Sequence, residues 1–211
     1  MNTSSLAARL RDLIETRGYA IERTDDIDRF KALCATLGPV ELLTDVRIVP
    51  GKTEYPFRPA AVPFHTDHPR HPIVAWYCVR KDVADGANLL IDSRVILERL
   101  TPYQRARLSG ASVRIVQSQE RRTILGEYPF HAYWLPPLIR EAMPSLDDET
   151  RAAVGAFQRE LDARAESGTA VPVRLEEGEA LFVNNHVMLH GRKSISHVSD
   201  RHLIRACMTR P

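Results

Sequence analysis

Past Val46 the chain is cut into short runs rich in β-branched and aromatic residues, each closed by proline or glycine. No other feature constrains the fold as much. Residues 46–49, 62–64 and 73–79 read as strands, 112–117 alternates, and 170–175, 180–183 and 202–208 complete the set. Asp85-Gly86 and Glu177-Gly178 are turn signals between them. Before this region come two amphipathic helices. Leu6, Leu10, Leu13 and Ile14 line one face of the first, which Ser4 or Ser5 can cap and Gly18 ends. Residues 19–21 are a short strand candidate. Thr24 then leads into an acidic first turn, Asp25 and Asp26, of a helix whose buried stripe is Phe30, Leu33 and Leu37. Ser93 can cap a helix reaching Leu100, and Thr101-Pro102 starts another with proline in its favoured first position. A helix over 147–166 carries Ala153, Phe157 and Leu161 at helical spacing, and 119–137 reads as an irregular arm.

Helices first, many short strands later and one helical insertion make an α+β protein on antiparallel sheets. The architecture expected is a double-stranded β-helix, or jelly roll, with N-terminal helices. At 211 residues, with 44% hydrophobic and 27% charged residues, the chain suits one buried core. We therefore expect a single domain over residues 1–211. A net charge of +2 implies no general attraction to nucleic acid or to an anionic membrane. Nearly all basic residues are arginine, which suits bidentate carboxylate recognition but also follows from codon bias. The three cysteines, Cys34, Cys78 and Cys207, are far apart and form no CxxC pair, which argues against a zinc ribbon or disulfide framework. The first seventeen residues lack the apolar core of a signal peptide, and no run approaches a membrane span. A cytoplasmic protein is expected.

The chemistry concentrates in two places. His65 and Asp67, in Pro63-Phe64-His65-Thr66-Asp67-His68, stand two apart at an expected strand end, so both side chains can reach one ion. Alone, an HxD motif is common by chance. A third candidate, His190, follows far downstream in Asn184-Asn185-His186-Val187-Met188-Leu189-His190-Gly191-Arg192. Two imidazoles and one carboxylate occupy one face of an octahedron and leave three positions open, which suits oxygen chemistry at iron(II). His186 and His190 are spaced like a helical zinc motif, but Val187 stands where the glutamate of HExxH belongs.

The HTD at 65–67, the late NNHVMLHGR and then Asp200-Arg201-His202-Leu203-Ile204-Arg205 together resemble the taurine dioxygenase and clavaminate synthase-like oxygenases. The resemblance covers roughly residues 64–208. It implies a dioxygenase using Fe(II), 2-oxoglutarate and O2 to oxidise a C–H bond of a small polar molecule, such as an amino acid or biosynthetic intermediate. It assigns iron to His65, Asp67 and His190, and the far carboxylate of 2-oxoglutarate to Arg201, since a buried carboxylate needs a guanidinium partner. Arg205, four residues on, faces the same way and would assist that carboxylate or meet an anionic substrate. Where relatives carry a threonine after a glycine turn, this chain has Asn88, whose amide can donate instead. Relatives that halogenate replace the metal-binding carboxylate, so Asp67 implies hydroxylation, or desaturation or ring formation. The aromatic arm is either core cover or a substrate lid, in which case Arg122 and His131 would contact the ligand. Two other functions fit the sequence: a jelly-roll metal-binding or sensory module without turnover, and the same oxidation on a peptide or protein side chain.

Overall fold

The computed structural model describes residues 3–82, 86–115, 119–127 and 130–210, with side chains from Ser5 onward. The chain opens with α1 (Thr3–Arg17), β1 (Tyr19–Arg23) and α2 (Ile27–Leu37), followed by β2 (Val40–Arg47), β3 (Val62–His65), β4 (Ile73–Arg80) and β5 (Asn88–Asp92). An insertion comes next: α3 (Ser93–Leu97), α4 (Pro102–Gly110), β6 (Ser112–Arg114), β7 (Arg121–Thr123), β8 (Leu125–Glu127), β9 (Phe130–Ala132), α5 (Pro136–Ala142) and α6 (Asp148–Glu166). The chain ends in β10 (Val171–Val173), β11 (Glu179–Asn184), β12 (Met188–Arg192) and β13 (His202–Met208). It is a mixed helix and strand fold. Its two principal sheets, β1-β11-β4-β13-β2 and β10-β5-β12-β3, are antiparallel at every pairing, and neither closes on itself.

The period of two along each strand explains the layers. Val74, Trp76 and Cys78 of β4 share one apolar cluster with Leu181 and Val183 of β11, Leu203 of β13, and Leu90, Val173 and Met188 from the smaller sheet. The sheets therefore pack face to face. The alternate residues Ala75, Tyr77, Ala180, Phe182 and Ala206 point outward against Leu6, Leu10, Phe30 and Leu33 of the first two helices. On the far side, Ile91 and Leu189 turn away from the inter-sheet core to meet Trp134, Phe157 and Leu161 of the insertion. The three cysteines are free and buried in these layers. Burial pushes their thiols up, to about 12 for Cys34, about 11 for Cys78 and about 12 for Cys207.

Several boundaries differ from expectation for identifiable reasons. Asp26 caps α2 by accepting from the Arg29 N–H at 2.7 Å, while Asp25 takes φ +60 and Thr24 is buried. Asp92 caps α3, with Ser93 its first helical residue, and that helix ends at Leu97 rather than Leu100. The strand expected at 46–49 overlaps only the end of β2, which starts at Val40 and stops at Arg47. As an edge strand, β2 exposes both Leu42 and Leu43, so it has no alternation to read. The arm at 119–137 contains β7, β8 and β9 and enters α5, and Ile124, Leu125, Tyr133 and Trp134 belong to the insertion's core. Thr101 and Gln104 form the reciprocal capping box of α4. Asp85 of the expected turn, Tyr128 of the arm and the end of the 112–117 run lie outside the described residues.

Candidate metal centre

His65 is the last residue of β3, and His190 lies directly opposite it on β12. Cross-strand neighbours share a face, so the imidazoles meet, with ring centroids 4.4 Å apart. Beyond the strand end, Thr66 turns the other way. Its N–H donates to the Trp134 carbonyl at 2.8 Å, and its hydroxyl accepts from the Trp134 N–H at 2.9 Å. That reciprocal anchor returns Asp67 to the side of His65. The Asn185 side chain then fixes Asp67 by accepting from its N–H at 2.8 Å, while its own amide donates to the carbonyls of His71, at 2.9 Å, and His68, at 3.3 Å.

The donor atoms of His65, Asp67 and His190 all lie within 4.8 Å of one another. Metal–nitrogen and metal–oxygen bonds are about 2.0–2.2 Å, so one ion can engage all three. The protonation states suit it. His65 Nδ1 lies 2.9 Å from the Pro63 carbonyl; the ring donates there, which leaves Nε2 with its lone pair. Burial holds the His65 imidazole below its ordinary pKa and, with His65 adding to it, pushes His190 down to about 3. Both are therefore neutral near pH 7. Burial opposes ionisation of Asp67, but the charge of Arg205 chiefly counters it and the carboxyl is held low. Both ring nitrogens of His190 are buried and lack a hydrogen-bond partner among the described residues. An imidazole left this way is costly unless something occupies its lone pair, and this neutral-nitrogen and carboxylate donor set suits iron(II).

The triad opens onto a cavity of about 490 Å³, within the range of small-molecule sites. Trp76 stands edge-on to His190 at 5.0 Å and Tyr55 to His65 at 5.4 Å, lining the walls with Leu90, Leu181 and Leu203. Arg201, only 6% exposed, lines it too and donates to the Asn88 Oδ1 at 3.2 Å. With its oxygen engaged, the Asn88 amide retains its NH2 as donor. Arg205 also faces the cavity and contacts both Asp67 oxygens, at 3.2 and 3.4 Å. Arg122 and His131 do not line the cavity. Arg122 pairs with Glu120 at 2.6 Å, and the His131 ring packs on Gly126 and lies 5.9 Å from His186. Among the described residues of the arm, Leu135 and Pro137 at its end line the cavity.

Sequence reasoning missed Asn185, Trp76, the 53–56 loop and Arg192. Arg192 had a signal available: it is two residues beyond His190 on a strand and must share its face. Gly191 between them faces the other way, where an added Cβ would sit 2.9 Å from the Val62 carbonyl oxygen and 3.4 Å from the Phe64 nitrogen. Backbone cannot yield as a side-chain tip can. Gly191→Ala should therefore push β3 from β12, costing about 1–3 kcal/mol in urea denaturation. It should also weaken Mn(II) binding roughly tenfold in titration, because His65 moves with β3. Unchanged values in both would mean that the strand register does not set the triad.

Neither any protein-family profile nor any curated protein sequence matches the chain. Solved structures do match, and the fold is that of non-heme iron oxygenases. Asparagine oxygenase, in complex with Fe(II), 2S,3S-3-hydroxyasparagine and succinate, superposes with a TM-score of 0.75 at 20% identity, over 98% of this chain and 79% of that one. The non-heme iron oxygenase OrfP with Fe, succinate and (3S)-hydroxy-L-Arg gives 0.76 at 18% identity, over 99% and 80%. OrfP with Fe and alpha-ketoglutaric acid gives 0.75 at 16%, over 98% and 80%.

Proposed function

We propose that the chain is a single-domain iron(II)- and 2-oxoglutarate-dependent oxygenase that hydroxylates a small carboxylate-bearing molecule, most simply an amino acid. The observation that carries this is the convergence of His65, Asp67 and His190, two of their nitrogens orphaned in His190, beside buried Arg201 in one cavity. The two facing antiparallel sheets support a jelly-roll core. The free, buried cysteines suit a reducing compartment, the cytoplasm. No helix among the described residues is long and apolar enough to cross a membrane.

His65, Asp67 and His190 would hold the metal. Iron(II) bound there would activate dioxygen with electrons from 2-oxoglutarate, which leaves as succinate and carbon dioxide. Arg201 holds the distal carboxylate of the co-substrate, its guanidinium oriented by Asn88. Arg205 meets the carboxylate of the substrate next to Asp67. Trp76, Tyr55 and the leucines keep water from the reacting carbon. With Asp67 as the third protein ligand, no position would be left for a halide, which argues against halogenation and is consistent with the hydroxylation proposed. The neighbours in fold hold hydroxyasparagine and hydroxyarginine, which supports an amino-acid substrate.

Protein loaded with Fe(II) should be incubated with 2-oxoglutarate and a panel of L-amino acids under air, with succinate and product mass as readouts. The expected result is succinate matched one for one by a product heavier by a single oxygen atom. Absence of any iron-dependent affinity for 2-oxoglutarate would sink the proposal.

A further inference from the structure

We propose that Arg192 is a second guanidinium for the distal carboxylate of the oxoacid co-substrate, closing on it from the side opposite Arg201. The inference rests on the co-substrate assignment made under the proposed function. Arg192 alternates with Gly191 along β12 and so faces the cavity with His190, which both residues line. Across the sheet it is the register partner of Asn88, whose side chain accepts from Arg201. One strand pair therefore brings the two guanidiniums to the same end of the cavity. Arg205, four residues past Arg201, stands about 13 Å further along an extended chain and belongs to the other end, at Asp67.

Arg192 is held firmly. It is 7% exposed, and its Nη2 donates to the carbonyls of Arg58, at 2.6 Å, and Ala60, at 3.0 Å. Its Nη1 is buried and has no partner among the described residues. Half of the fork is thus used to fix the other half, which meets no acceptor among the described residues. Neither Arg192 nor Arg201 forms an ion pair among the described residues. Both guanidinium groups are buried. Two buried guanidiniums with no ion-pair partner among the described residues suit an anionic ligand. A carboxylate has two oxygens and about four acceptor positions, enough for both forks. The second fork also accounts for Asn88 standing in place of a hydroxyl donor.

The test measures binding to Mn(II)-loaded protein by calorimetry, with 2-oxoglutarate and with 2-oxopentanoate, the oxoacid of equal length that has a methyl in place of the distal carboxylate. Wild type should prefer 2-oxoglutarate by about 100-fold or more. Arg192→Met should lose about tenfold of that preference while its affinity for 2-oxopentanoate stays the same, and Arg192→Lys, which keeps the charge and much of the volume, should lose a few-fold. An undiminished preference in both variants overturns the inference, as does equal weakening toward both ligands, which would make Arg192 only a brace for the 58–61 segment. If Arg192→Met no longer binds Mn(II), the lysine variant decides by the same ratio. A wild type without preference would instead remove the co-substrate assignment, and the inference with it.

Discussion

Replacing His190 with alanine should reduce affinity for iron(II) by more than about 100-fold and abolish succinate formation. Groups that merely support a ligand are worth 10–100-fold in metal affinity, so loss of a ligand itself must exceed that. The fold should persist. His190 contributes packing beside Trp76 and His65, and its removal leaves a void, but it also removes a ring whose two nitrogens lack hydrogen-bond partners among the described residues. The two effects oppose each other. Anaerobic calorimetry with Fe(II) and circular dichroism on the same sample will separate them. Retained iron binding in a folded His190→Ala protein would break the assignment. Asp67→Ala is the instructive contrast. It takes away the carboxylate that Arg205 contacts and leaves a guanidinium that is mostly buried, so it should destabilise the protein more than His190→Ala does.

Arg201→Ala should raise the Kd for 2-oxoglutarate by about 100- to 1,000-fold, the equivalent of about 3–4 kcal/mol expected when a buried ion pair loses one partner. Affinity for iron should hardly move, because Arg201 hydrogen-bonds to Asn88 and is not among the three donors. This separation of effects is the diagnostic. Titrating metal first and co-substrate second on one preparation will show whether the loss falls on the second step alone. Equal losses on both would mean that Arg201 supports the cavity as a whole rather than holding a carboxylate.

How much of this was readable in the chain depends on how local each cause is. The triad was legible because its chemistry is compressed into short strings: a strand end that aims His65 and Asp67 together, and a late histidine followed by spaced arginines. The α+β character was legible from the change of period after the first helices. Asn185 was not, because it acts through hydrogen bonds to Asp67, His68 and His71, more than a hundred residues away in sequence. Trp76 looked like any core strand residue, and only the packing of β4 against β12 gives it His190 for a neighbour. The arm at 119–137 misled in part because its polar residues suggested a ligand surface. In the fold its apolar residues cover Phe157 and Leu161, and Arg122 finds Glu120 within its own ribbon. Edge strand β2 escaped because half of its pattern is set by solvent.

The state of the three thiols carries a consequence for the iron and dioxygen chemistry proposed above. Such a centre generates damaging oxygen species whenever it fires without substrate, and the thiolate is the form of cysteine they attack. Each sulfur here is buried and kept protonated well above neutral pH. Under the proposed function the cysteines would thereby be spared self-inflicted sulfenic acid, and uncoupled turnovers would take their toll on other side chains nearer the cavity.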